Sequence, residues 1–222
     1  MTHRSYFFCF ILVLFGCLPA ILLAQPKNKP GANLPIVKAT SPIVLDGKLD
    51  EPDWLAASVA NNFYMNYPVD SLPPTFQSEA RMTFDDHFLY VSFVCYDDAK
   101  PDIVQSLRRD IDWGLNDNIG IYIDPFNDYT NGFFFTITPF GVQSEGLISA
   151  GGQDGEGSFS NSWDNKWYSH ATRYQDKWVA EMAIPFKSFR YNHNVNEWNV
   201  TFLRNDVKRN QISSWIALYI IA

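Results

Sequence analysis

The chain has 222 residues, of which 46% are hydrophobic, 16% aromatic and 18% charged, with a net charge of −7. So apolar and charge-poor a chain is not disordered, collagen-like, a coiled coil or a long helical array. Phosphate contacts dominate nucleic-acid affinity and an acidic chain supplies few, so nucleic acid is disfavoured as a partner.

Seven Trp, eleven Tyr and eighteen Phe point instead to strands, whose pleated, half-buried surface accommodates large rings. In chain order, residues 1–24 read as a secretory leader. Arg4 supplies the basic start, 6–16 an apolar run that 18–24 extends, and Ala24-Gln25 a cleavage point. The chain is therefore expected to be exported: periplasmic, outer-membrane-associated or extracellular. Leu14-Phe15-Gly16-Cys17 loosely resembles a lipobox, so acylation of Cys17 stands beside simple cleavage. Cleavage removes Cys9 and Cys17, leaves Cys95, and takes the charge from −7 to −8. One cysteine makes no internal bridge, so packing must hold the domain. Cys95 lies in an apolar run with no cationic neighbour and reads as a buried structural thiol.

Residues 25–41 read as a proline-bearing linker. Ile43-Val44-Leu45-Asp46-Gly47 is a strand running into a turn. Asp50 caps a short helix over 51–60, with Pro52 in its first turn. Segments 101–109 and 185–190 are single turns. Strands over 77–84 and 88–96 flank Asp85-Asp86-His87 as a hairpin. Ile119, Ile121 and Ile123 alternate with Gly120 and Tyr122, a half-buried strand. Turn chemistry fills 127–132, and 132–138 pairs with 142–149 about Pro139-Phe140-Gly141. Segment 150–161, rich in Gly and Ser, is a long loop. Strands over 166–174, 177–184, 198–206 and 212–220 complete the set. The fold expected over 42–222 is all-β, an antiparallel β-sandwich with one short helix. The apolar run from Trp215 would be a liability as a free edge; it pairs inside a sheet, or the chain is a fragment of a longer one.

Catalytic signatures are absent from the sequence. Gly141-Val142-Gln143-Ser144-Glu145-Gly146 is offset by one residue from a nucleophile elbow. His3, His87, His170 and His193 lack metal-ligand spacing, and no phosphate or dinucleotide loop appears. Asp117 and Asp124, seven apart on one strand, fall on opposite faces, a poor start for a glycosidase pair. Asp46, Asp50 and Asp53 crowd one loop and form the weak calcium candidate; capping and turn roles are their simpler reading. No other cofactor is expected.

Sugars offer CH faces to aromatic rings and hydroxyls to amides and charges. Trp113, in the polar loop 110–117, and Trp163, in Ser160-Asn161-Ser162-Trp163-Asp164-Asn165, could equally be exposed or packed; Trp215 joins them. Trp54, Trp178 and Trp198 follow amphipathic periodicity and read as core, while Trp167 fits either role. The run Ile43-Val44-Leu45-Asp46-Gly47-Lys48-Leu49-Asp50-Glu51-Pro52-Asp53-Trp54 resembles the opening of carbohydrate-binding module family 9. So do Phe84-Asp85-Asp86-His87-Phe88-Leu89-Tyr90-Val91, Asp117-Asn118-Ile119-Gly120-Ile121-Tyr122-Ile123-Asp124 and Glu181-Met182-Ala183-Ile184-Pro185-Phe186, in the family's order. Similar chains form the N-terminal domains of large exported Bacteroidetes proteins, ahead of a β-rich region of outer-membrane type.

The resemblance implies a DOMON-like (jelly-roll) sandwich that grips a polysaccharide or oligosaccharide between two tryptophans, here Trp113 and Trp215. Asn116, Asp117, Arg204 and Asn205 are the polar candidates, with Trp163 a further aromatic one. The family's sugar-binding Glu falls on Gly120 and its Gln near Leu203, so the hydrogen-bonding partners of the clamp are missing. The expected function is a non-catalytic carbohydrate-binding module tied to glycan breakdown or uptake. The alternatives are an interaction or plug domain of an outer-membrane protein that has lost its sugar site, and an accessory domain of a glycoside hydrolase.

Overall fold

The computed structural model describes residues 33–70, 72–152, 155–188, 190–191 and 196–215. The expected leader, the lipobox-like stretch at Cys17, much of the expected 25–41 linker and the terminal run beyond Trp215 lie outside the described residues. In chain order the strands are β1 (Val37–Lys38), β2 (Val59–Ala60), β3 (Tyr64–Tyr67), β4 (Ser78–Phe84), β5 (Phe88–Tyr96), β6 (Asn118–Asp124) and β7 (Gly132–Ile137). They continue with β8 (Gln143–Ile148), β9 (Phe159–Ser160), β10 (Tyr168–Arg173), β11 (Lys177–Pro185), β12 (Asn199–Asp206) and β13 (Gln211–Ser214). One sheet, sheet A, runs β1-β4-β5-β11-β10, with β2 also on β4; sheet B runs β3-β13-β12-β6-β7-β8-β9. Every pairing is antiparallel except β1 with β4.

The two-residue side-chain period builds the core. Leu89, Val91, Phe93 and Cys95 of β5 and Trp178, Ala180, Met182 and Ile184 of β11 face inward from sheet A. Ile119, Ile121 and Ile123 of β6, Phe133, Phe135 and Ile137 of β7, and Phe202 of β12 face them from sheet B. The sheets meet where the Phe93 and Phe202 rings lie edge to face, centroids 5.7 Å apart. Each such side chain contributes roughly 1.5–3 kcal/mol on burial. The β-sandwich is thus the fold that alternation in the sequence specifies. Cys95 is fully buried and its thiol is pushed up to about 12 by that burial, which leaves it inert.

A third layer covers the outer face of sheet A. Residues 43–45, expected as a strand, belong to no sheet; they pack with Leu49, Ala57 and Trp54 against Phe88, Tyr90 and Ala183. The reason is polar. Glu181 of β11 projects outward beneath this strap, fully buried, and its carboxylate accepts the backbone N–H groups of Asp46 (3.0 Å) and Gly47 (2.7 Å) and the Trp54 indole N–H (3.0 Å). Those donors go to a side chain rather than to a strand. Gly47 has a left-handed φ of 81°, and a Cβ there would run into Thr172 of β10, so the crossing needs glycine.

The helix is also shorter than expected. It spans Pro52–Ala56, and its N-cap is Glu51, not Asp50, with no side-chain cap. Ala57 turns extended, which frees Val59 and Ala60 to pair with Arg81 and Ala80 of β4. The expected loop 150–161 holds short 3₁₀ turns and the two residues of β9.

Candidate functional site

The outer face of sheet B is where polar and aromatic side chains gather. Alternation opposite Ile119, Ile121 and Ile123 places Asn118, Gly120 and Tyr122 of β6 on this face, beside Asn205 and Leu203 of β12 and Phe134 and Thr136 of β7. Tyr122 stacks on Phe134, centroids 6.0 Å apart at 25°, and Phe159 meets both rings edge-on. Gly120 sits in register between Leu203 and Thr136. A Cβ there would lie 2.5 Å from both the Phe135 carbonyl oxygen and Thr136 Cγ2. The space of a side chain at 120 is therefore already filled by the neighbouring strand.

Over this face lies the loop that carries Trp113. Asp112 caps the single turn Trp113–Leu115 by accepting the Gly114 N–H at 2.9 Å. The loop is tied down through its carbonyls. Asn118 Nδ2 donates to Trp113 O (3.0 Å) and Asn116 O (2.7 Å), and Asn205 Nδ2 donates to Trp113 O (2.7 Å). The Trp113 side chain is left half-buried. Its indole nitrogen and Asn118 Oδ1 are both buried, and Asn118 Oδ1 makes no hydrogen bond. The hydroxyl of Tyr122, held above its ordinary pKa by burial, neighbours that indole. The buried acceptor is one that an ordered water would satisfy.

The structure distributes the expected site residues as follows. Asn116 is consumed by its own loop, Oδ1 accepting from Gln105 N and Nδ2 donating to Asp112 O, both at 2.6 Å. Asp117 accepts the N–H groups of Ile103 (2.6 Å) and Val207 (2.7 Å). Burial raises its pKa against those donors, and the Asp206 carboxylate adds to the rise. Arg204 points to the inner face, donating to Tyr96 O (2.9 Å) and facing Asp97 at 3.5 Å. Trp215 also points inward, 9% exposed, with its ring 5.6 Å from Phe202. Trp113 and Trp215 thus lie on opposite faces of sheet B and form no clamp. Trp163 sits at the core rim, 5.0 Å from the Phe133 ring and 5.9 Å from Phe135. Trp167, which fitted either role, is core, its indole N–H donating to the buried Glu145 carboxylate at 3.0 Å.

What the structure brings together is Trp113, Asn116 and Asn205, joined by Asn118 and Tyr122. The last two escaped the sequence reading, although alternation against Ile119, Ile121 and Ile123 carried the signal.

Asp46, Asp50 and Asp53 do not converge. Asp53 accepts from Thr40 N (2.8 Å), Ser41 N (3.0 Å) and both hydroxyls, which hold its pKa low. Asp46 is engaged by the backbone and ammonium of Lys48, and Asp50 is exposed. Among the described residues no three His, Cys, Asp or Glu side chains group to hold a metal ion.

The carbohydrate family 9 binding domain-like model matches residues 45–219. The fold resembles a family 9 carbohydrate-binding module from Caldicellulosiruptor kristjanssonii solved with cellotriose, at 15% identity and a TM-score of 0.57 over 83% of this chain and 84% of that one. The same organism's module solved with glucose matches at 14% identity and a TM-score of 0.54, covering 83% and 86%. A Bacteroides uniformis protein matches at 13% identity and a TM-score of 0.58, covering 82% and 87%. No curated protein matches the chain.

Proposed function

From a chain that belongs to the carbohydrate family 9 binding domain-like family, we infer a non-catalytic carbohydrate-binding module, carried on an exported protein and serving glycan breakdown or uptake. The observation that carries this reading is the half-buried Trp113 indole, its loop fixed by two side-chain amides over the outer face of sheet B. A sugar ring stacks on the exposed part of that indole. The structural neighbours solved with cellotriose and glucose support a neutral, glucose-type ligand. With Trp215 on the other side of the sheet, one ring acts alone, and the expected affinity is roughly millimolar.

Calorimetric titration with glucose, cellotriose and xylan oligosaccharides tests this. Binding that Trp113→Ala weakens by about tenfold or more, and that Asn118→Ala also weakens, is the expected result. No heat with any glycan would overturn it. The closed space at Gly120 and the buried Leu203 then favour the second reading, an interaction domain of a cell-envelope protein without a sugar site.

A further inference from the structure

The edge of a sheet carries backbone groups that no neighbouring strand takes, and folded proteins shorten, cover or charge it. The two sheets have four edges. On sheet A, the far side of β4 is closed by β1 and β2, two residues each. On sheet B, β3 is covered by its own loop, Met65 N donating to Leu72 O at 2.6 Å. At that sheet's other side β9 has two residues, and the Asp110 N–H caps the Gln143 carbonyl of β8 at 3.1 Å. The fourth edge is β10, and it has none of these devices. It runs six residues, in unbroken register with β11, and contains no proline, lysine or bulge.

The hairpin sets the direction of its backbone. Tyr174 N donates to Lys177 O at 2.8 Å. Bonding alternates along an antiparallel pair, so Tyr168, His170 and Thr172 spend their N–H and C=O groups on β11. Those of Ser169, Ala171 and Arg173 turn outward, and no described residue bonds them.

The side chains of this edge match their own copy. Tyr168, edge-on to Phe88 at 6.0 Å, and His170 and Thr172, both beside Gly47, share the outer face of sheet A. Tyr174 continues the stripe, its hydroxyl donating to the Gly47 carbonyl at 3.0 Å. Tyr168 and Tyr174 are each 44% exposed. With His neutral, Arg173 is the strand's only charge, and it is committed inward to Asp102 at 2.7 Å and to the Phe140 ring. We propose that β10 is a self-association edge: two copies pair antiparallel through it, about a twofold axis at Ala171, and join their A sheets into one. This is the one register in which all three open residues of each copy meet open residues of the other. Ala171 faces Ala171 of the second copy, and Ser169 faces Arg173, so no like charges are opposed. The residues between them, with Cα atoms about 4.5 Å apart, set Tyr168 against Tyr174 and His170 against Thr172. Cross-strand aromatic pairs of this kind stabilise a sheet. The edge shares no residue with the Trp113 surface, and the pairing does not rest on glycan binding there.

Sedimentation velocity of the protein from about 1 μM to about 1 mM tests the proposal. A contact of one strand and its rim is small, so a monomer–dimer equilibrium with a Kd of about 10–100 μM is expected. Two double substitutions test the register. Tyr168→Lys with Tyr174→Lys sets ammonium groups face to face across the axis and should weaken the dimer about tenfold or more. Tyr168→Glu with Tyr174→Lys removes the same two rings but opposes unlike charges, and should return the Kd to within about threefold of the wild type. A chain that stays monomeric throughout would overturn the proposal and leave the edge to a strand of another protein. A dimer that survives the two lysines, or one that the Glu and Lys pair fails to restore, would equally overturn it.

Discussion

The outer faces of the two sheets are covered by the same kind of device in opposite polarity. On sheet A, a crossing strap presents N–H donors, and a carboxylate, Glu181, receives them. On sheet B, a crossing loop presents carbonyl acceptors, and two amides, Asn118 and Asn205, donate to them. Either cover satisfies backbone groups that have no ladder partner. The difference lies in what each leaves behind. The acceptor latch is fully buried with an apolar indole over it, and it titrates. The donor latch is neutral, and the indole it fixes stays half exposed. Sheet A has a sealed face and sheet B a presented one, which is why the ligand surface we propose lies on the second.

The largest expected effect comes from opening the sealed face. Trp54 is 1% exposed and fills the space between the strap, Tyr90 and Ala183. Trp54→Ala removes that packing and one of the Glu181 donors, and should cost about 3–5 kcal/mol. Urea unfolding of the variant would measure it. A loss below about 1 kcal/mol would mean the strap is not a cooperative part of the fold.

How much of this contrast could be read in advance depends on the scale of the signal. The alternation of Ile119, Ile121 and Ile123 and the long run Phe88–Tyr96 announced the sandwich, because each strand repeats its pattern several times. β1, β2, β3 and β9 are two to four residues long and too short to show a period. The segment Ile43-Val44-Leu45 has strand composition but lies as a strap, since its fate is decided by Glu181, more than 130 residues away. The site was half legible for the same reason. Trp113 stood out by its polar loop and the structure leaves it half-buried on the outer face, but Trp215 looked identical in kind until the structure put it on the inner face against Phe202. Arg204 and Asp117 looked like ligand-binding groups because nothing local shows that Tyr96, Val207 and Ile103 consume them.

The titrating latch gives a second, smaller effect with a defined sign. Burial pushes Glu181 from 4.5 up to about 7, against the pull of its Gly47, Trp54 and Asp46 donors. A carboxyl whose folded-state value is raised contributes stability that is full below about 4.5 and declines as pH rises through about 7. Glu181→Gln fixes the group neutral; below about 4.5 the wild-type carboxyl is protonated as well, and either side chain sets one donor against the strap, so the two proteins should be about equally stable there. As pH rises from about 5 to about 8 the wild type alone loses stability, so a gap in favour of the variant should open. Melting temperatures across that window decide it; a constant gap would show that Glu181 does not titrate there and that the two latches do not differ in this respect.

The smallest effect is expected on the neutral side, and it tests the comparison most sharply. Asn205→Ala removes one of the two donors to the Trp113 carbonyl, while Asn118 still supplies the other. The carbonyl keeps one partner, so the loss should be about 0.5–1.5 kcal/mol. Because an amide carries no proton equilibrium in this range, that loss should be the same at about pH 5 and about pH 8, where the Glu181→Gln gap changes. The variant should also loosen the Trp113 loop, seen as a red shift in tryptophan emission and a modest fall in glycan affinity. A pH-dependent loss would place a titrating group in this latch, with Asp117, buried beside Asn116 and Asn118, the first to examine by Asp117→Asn.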